Sequence, residues 1–344
     1  MLDSNRVIDL HMSFASDMRD YLERNISCWH ETLRSLQTRF WYEGLSQRTG
    51  LNTAYELERH FEPSSFTFND DGTIEYYKNK WTGYRQGQHR PMPPQRELVE
   101  KKAPGSTREL LHPLWSALNL NDKRVMREDA FLRQLLPPIQ EVMFKPGSSG
   151  VLGYTTRAPI TQRLLDKLER RAGMDVLACL TWLLREAAEK QCASAQLIGH
   201  ALHNVLTMMA LELHALKIAL PLLQIFIDQI LPLGLPQHYR TGMTPGDYVN
   251  ASGYLNRIVY TTTKGRKRKL DWDQRGKIMQ QLIQGKSGWS VKYAMMPQYE
   301  LDDGGEELPA DVIEAHSLAS KRREWGWDCL LTGKEGRMPP VEVL

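Results

Sequence analysis

Apolar positions recur every three or four residues through most of this chain, the spacing of one face of an α-helix. The pattern is strongest from Met174 to Leu235. Within it, Leu202, Val205, Met209, Leu213, Leu216 and Leu220 line one side of a helix predicted to start near Ser194 and to be interrupted at Pro221. Gln196, His200, His203, Thr207, Ala210, His214 and Lys217 form an opposite, more polar stripe. Val176, Leu177, Leu180, Leu183, Leu184 and Ala187 mark a helix over Asp175 to Lys190, and Leu222 to Leu233 is apolar enough to be buried on most sides. Glu212, His214, Lys217 and Asp228 interrupt any window of the about 20 residues a bilayer core requires, so this stretch reads as the core of a helical domain and not as a membrane span.

On the N-terminal side, residues 4–43 read as helical, with Leu22, Ile26, Trp29, Leu33, Leu36 and Phe40 in register, and Leu51 to Phe61 predicts a second, short helix. Pro63 to Gly72 reads as a turn or short hairpin, because Asn, Asp and Gly supply the backbone angles that turns need. Thr73 to Arg85 predicts another helix, with Ile74, Tyr77, Trp81 and Tyr84 along one side. The following GQHRPMPPQ reads as irregular because of its prolines. The run WTGYRQGQHRP (Trp81 to Pro91) bears a faint likeness to the exit of a recognition helix in repressor-type helix-turn-helix domains. No two helices precede it at the required distance, so it reads as a helix end and a proline-rich loop. Ser106 to Asn119 and Glu128 to Phe144 predict further helices, the second broken at Pro137-Pro138, and Lys145 to Pro159 is a candidate domain boundary. Pro232 to Gly253 reads as an ordered loop. Tyr254 to Thr263 and Trp289 to Met296 have the residue types of paired strands, with a helix over Asp273 to Leu282 between them, and Pro309 to Trp325 predicts a last helix.

The fold class is therefore mainly α: a multi-helix core with a small mixed α/β basic region near the C-terminus. The expected divisions are an N-terminal helical region with Pro/Gly-rich loops (1–150), a central helical core (151–253), and a basic segment followed by an acidic C-terminal tail (254–344). Apolar residues make up 41% and charged residues 25% of the 344, as in ordinary globular proteins, so a sizeable core is expected. Cys28, Cys179, Cys192 and Cys329 are far apart, and Cys179 and Cys192 read as buried thiols in helices. MLDSNRVIDL lacks the basic-then-apolar pattern of a secretory signal, which points to a cytoplasmic, reducing location.

Charge changes the picture most. The net value of +3 hides an uneven distribution: residues 254–299 hold 10 basic and 2 acidic side chains, whereas 300–344 hold 5 and 11. Lys264, Arg266, Lys267, Arg268 and Lys269 form a basic run, flanked by Arg257, Arg275, Lys277, Lys286 and Lys292. Tyr254, Tyr260, Trp272, Trp289 and Tyr293 are interleaved with these cations. Lysine and arginine neutralise phosphates and release counterions, and exposed aromatic rings stack on unpaired bases. The segment thus reads as a nucleic-acid contact surface, for DNA or RNA, with Trp272 or Trp289 as stacking residues; a solvated loop answered by the acidic tail is the alternative. The acidic ELDDGGEE (Glu300 to Glu307) reads as a flexible connector, and it lacks the ligand spacing of a calcium-binding loop.

Other candidates are weaker. His200 and His203 lie three apart on one face, but His214 is about 16 Å further along by helical rise, too far to share an ion, so a polar stripe is the reading. Glu212 falls on the apolar side among Val205, Met209 and Leu216, where a carboxylate has to be paired, protonated or facing a cleft; a structural ion pair is expected. Gly285-Lys286-Ser287 resembles the end of a phosphate-binding loop, but Gln280 stands where its first Gly belongs. The expected function is a non-enzymatic nucleic-acid-binding protein without metal or cofactor. The alternative is a protein-interaction or structural subunit of a larger assembly, or a homo-oligomer, built on the central helices.

Overall fold

The computed structural model describes residues 4–25, 33–123, 129–146, 155–262, 270–304 and 307–344, and over them the protein is mainly helical. Helix α1 (Ser4–Asn25) and α2 (Leu33–Thr49) are followed by α3 (Ala54–Phe61), whose start is set by a capping box. Thr53 Oγ1 accepts from the Glu56 N–H at 3.1 Å, and the Glu56 carboxylate accepts from the Thr53 N–H at 2.9 Å. Strands β1 (Phe66–Phe68) and β2 (Ile74–Tyr77) form a hairpin whose first strand and turn fall in the predicted Pro63 to Gly72 stretch and whose second strand lies beyond it. The helix expected from Thr73 therefore begins only at α4 (Lys80–Gln86), because Ile74 to Tyr77 pairs with the preceding FTF instead.

Proline marks helix starts here rather than breaks. Helix α5 (Pro93–Lys102) opens inside the stretch expected to be irregular, since a first-turn proline has no N–H bond to lose. The single helix expected over Ser106 to Asn119 is two, α6 (Ser106–Leu110) and α7 (Pro113–Leu118). Helix α8 (Pro137–Met143) likewise begins on its proline pair, and β3 (Phe144–Pro146) and β4 (Thr155–Arg157) pair antiparallel after it.

The centre comprises α9 (Gln162–Glu169), α10 (Met174–Glu189), α11 (Ser194–Ala215) and α12 (Ala219–Ile225). Pro221 lies in the first turn of α12, which runs on through a π turn and a 3-10 turn to Gly234. Strand β5 (Tyr239–Thr241) leads to α13 (Pro245–Thr262), so the loop expected to reach Gly253 ends at Pro245. Then come α14 (Trp272–Ile283), α15 (Trp289–Ala294), β6 (Tyr299–Leu301) and α16 (Ala310–Leu331). The two strands expected over Tyr254 to Thr263 and Trp289 to Met296 are helices. Leu255 and Val259 are four apart and both fully buried, so β-branched composition yields to packing. The sheet near the C-terminus is instead β5 paired antiparallel with β6.

Helix α11 packs against α9, α10 and α12, and against α1, α13 and α14 from far along the chain. From Leu202 to His214 both of its stripes are consequently covered, whereas Gln196, His200 and Lys217 at the two ends stay exposed. His203, Thr207, Ala210 and His214 are buried like Leu202 and Val205, which corrects the expectation of a polar face. A helix covered all round forms the centre of a core. The main core runs from Val7 to Leu330 and draws on all three predicted segments. A second core gathers Trp41, Leu57, Phe61, Trp81, Val99 and Leu110, with the rings of Phe61 and Trp81 stacked at 5.2 Å. Among the described residues, no helix is long and apolar enough to cross a membrane.

Candidate nucleic-acid interface

The basic segment is built on α14 and the turn that follows it. Asp271 starts α14 with a capping box, its carboxylate accepting from the Gln274 N–H at 2.8 Å. Met279, Leu282 and Ile283 pack inward, and Arg275 shares that face and is fully buried. Its guanidinium forms an ion pair with Glu212 of α11, donates to the Tyr260 hydroxyl at 3.4 Å, and lies 4.8 Å over the Trp272 ring. The Trp272 indole N–H donates to the Ala172 carbonyl. Gln280 donates to the Asp166 carbonyl at 2.6 Å and lies 3.5 Å from the Glu169 carboxylate, which also accepts from Asn204 at 3.0 Å. Of the sequence-predicted site residues, Arg275 and Trp272 therefore hold α14 against the core. Arg275 is closed to solvent and cannot touch a phosphate. The signal was in the sequence: Arg275, Met279 and Leu282 fall at helical spacing, facing a carboxylate on the apolar side of α11. Glu212 is thus paired, as its position required.

Arg257, Lys277 and Lys286 point outward and are exposed. Arg257 lies 5.5 Å over the Tyr254 ring. Gly285 and Gly288, with φ of +83° and +115°, make the turn into α15 that other residues resist. There the Lys292 ammonium sits 5.0 Å over the Trp289 ring, which is 39% exposed and available to a flat partner. Trp289 lies 5.5 Å from Tyr293, Arg322 lies 5.6 Å over Tyr293, and Trp325 meets Tyr293 edge-on at 5.9 Å. Tyr293 itself is buried, so of this cluster it is Trp289, with Lys292 over its ring, that faces outward. Arg322 and Trp325 were missed because they belong to α16 and reach α15 only through tertiary packing. That packing is close: a Cβ on Gly326 would lie 2.4 Å from the Ala294 nitrogen and 2.7 Å from the Ser290 carbonyl. Lys264, Arg266, Lys267, Arg268 and Lys269 lie outside the described residues, between the ends of α13 and α14.

The remaining candidates are accounted for structurally. His203 Nε2 donates to the Met295 carbonyl at 3.0 Å, so Nδ1 is left to accept from the Tyr248 hydroxyl at 2.9 Å. Burial pushes its pKa down to about 3, so the ring stays neutral. His200 is exposed, and His214 is buried edge-on to Phe14. Asp175 accepts from His112 Nε2 at 3.2 Å and from Arg108 at 2.8 Å, while His112 Nδ1 accepts from the Leu114 N–H. Both nitrogens of that histidine are engaged. Among the described residues, no three His, Cys, Asp or Glu side chains come together to hold a metal ion. Cys179 and Cys329 are buried, but Cys192 is exposed just before α11, which corrects its reading as a buried thiol. Glu300, at the head of the acidic block, lies in β6 and pairs with Arg240 of β5 at 2.9 Å, so this part of the block is an ordered strand. The chain matches no protein-family model, no curated protein and no solved structure, and the functional reading therefore rests on its own residues.

Proposed function

We propose that this protein binds nucleic acid, DNA or RNA, through residues 254–293. The observation that carries the reading is the concentration of 10 basic against 2 acidic side chains over 254–299. Its exposed members support it: Arg257, Lys277 and Lys286 have no carboxylate partner among the described residues. Lys264, Arg266, Lys267, Arg268 and Lys269 contact phosphates together with Lys277, Lys286 and Lys292, and Trp289 stacks on a base. Arg275 and Trp272 hold the surface in place and take no part in contact.

The test is fluorescence anisotropy with labelled single-stranded DNA, duplex DNA and RNA across a salt series. Affinity falls steeply with salt, and Ala at the five positions 264 and 266–269 reduces the slope on duplex DNA by about 4 to 5, at roughly 0.9 per phosphate contact. Binding that is absent, indifferent to salt, or unchanged by those substitutions overturns the reading. A stable complex or homo-oligomer in light scattering then favours an interaction subunit.

A further inference from the structure

A cleft outside the proposed contact surface of residues 254–293 opens between the β5–β6 pair and α16. Its volume is about 230 Å³, and its walls are Pro236, Tyr239, Pro297 and Tyr299, with Ala315 and Ala319 of α16 opposite. The two tyrosine rings meet at 5.7 Å and 65°, and the His316 ring lies 6.4 Å from Tyr239. These side chains are already fixed. The Tyr239 hydroxyl donates to the Val312 carbonyl at 3.3 Å, and His316 Nε2 donates to the Tyr299 carbonyl at 3.0 Å. Such a wall offers ring faces and edges at no further ordering cost.

Arg323 also lines the cleft. Its Nε donates to the Met296 carbonyl at 3.1 Å and a terminal nitrogen donates to Gln298 Oε1 at 3.0 Å, both neutral acceptors. Among the described residues no carboxylate comes within ion-pairing distance of it. Its hydrogen-bond partners are neutral and the Asp247 carboxylate acts on it only from beyond ion-pairing distance, so the half-buried guanidinium still has room for an incoming carboxylate. Size narrows the class, since a cavity of about 150 Å³ holds benzene and this one is matched to one substituted ring.

We propose that the cleft binds a small aromatic carboxylate, with the ring between Tyr239, Tyr299 and the α16 alanines and the carboxylate on Arg323. Benzoate is the probe, with its neutral isostere benzamide as control, observed by saturation-transfer NMR with the full chain. Benzoate binds, and benzamide binds at least about tenfold more weakly, the scale of one charge-assisted hydrogen bond. Arg323→Met weakens benzoate to the level of benzamide. Ala319→Leu fills the cleft without removing a hydrogen bond, so it abolishes benzoate binding while helical content and thermal midpoint are kept. If Arg323→Met fails to fold, the benzamide comparison and Ala319→Leu decide. No benzoate binding, equal binding of benzamide, or unchanged binding in a folded Ala319→Leu protein overturns the proposal.

Discussion

Arg275 and Glu212 form an ion pair between α14 and α11 in which the guanidinium is fully buried and the carboxylate is 22% exposed. The asymmetry sets unequal costs. Removing Glu212 takes the carboxylate away from a buried cation, whereas removing Arg275 leaves a carboxylate that still reaches water.

Glu212→Ala is accordingly expected to lower stability by about 3 kcal/mol or more, the cost of breaking a buried pair from one side. Arg275→Met costs less, because Met fills the space over Trp272, and the double variant Glu212→Leu/Arg275→Met recovers part of the loss. Urea denaturation of the three variants checks the order. Equal losses in the two single variants would mean that the burial difference has no energetic weight.

Glu169 titrates in the interior. Burial raises its carboxyl from the ordinary 4.5 to about 7, against the hydrogen bonds from Asn204 and Gln280, which lower it. A carboxyl that holds its proton more tightly when folded makes stability fall as pH rises from about 4.5 to 7 and level off above. Glu169→Gln removes that term. The variant gains on the wild type between pH 5 and pH 8, read as the difference in urea midpoint at the two values. A constant difference would place the Glu169 proton outside this window.

Glu100 has the opposite sign. Its carboxylate accepts from the Thr107 and Gly105 N–H groups at the start of α6 and from the Ser106 hydroxyl, and these bonds hold its pKa down at about 2. The stabilisation is fully present above the ordinary value of 4.5 and is lost as pH falls towards 2. Glu100→Gln therefore lowers the thermal midpoint at pH 7, and the gap from the wild type closes on acidification. A gap that persists in acid would trace the effect to packing.

Gly326→Ala tests the contact between α15 and α16. Helix propensity alone favours alanine by about 1 kcal/mol. The added methyl, however, meets backbone atoms of α15 that no side-chain rotation moves, and overpacking of this kind costs about 1–3 kcal/mol. The expected result is a lower thermal midpoint, with reduced ellipticity bands from the Tyr293–Trp325 pair. A raised midpoint would show that the two helices slide apart at little cost.

Helices with strong apolar periodicity were legible: α10 and α14 match their predicted spans closely, and α11 and α16 start where expected, although α11 ends at Ala215, before the break expected at Pro221, and α16 runs past Trp325 to Leu331. Strand assignments failed where composition and period disagreed, as at Tyr254 to Thr262, whose residue types suit a strand and whose spacing suits a helix. The polar stripe of α11 misled for a different reason. His203 and Thr207 find partners within hydrogen-bond reach, Tyr248 and the Met295 carbonyl for one and the His203 carbonyl for the other, and a satisfied polar group can be buried. The cations of the basic segment were legible as a group, but the division between inward Arg275 and outward Lys277 followed only from the helix face. Arg322 and Trp325 were out of reach, because nothing local ties α16 to α15.

Helix α1 lies against α13, and the His11 ring occupies the space where a Cβ on Gly253 would sit. The two helices are separated by most of the chain, so on the ribosome α1 emerges long before its seat exists. Phe14, which meets His214 of α11 edge-on, gains part of its cover once α11 has been made, and the cover from α13 comes last. Synthesis thus passes through a lengthy stage with an amphipathic helix open to chaperones or to neighbouring nascent chains. The completion of α13 is the event that ends it.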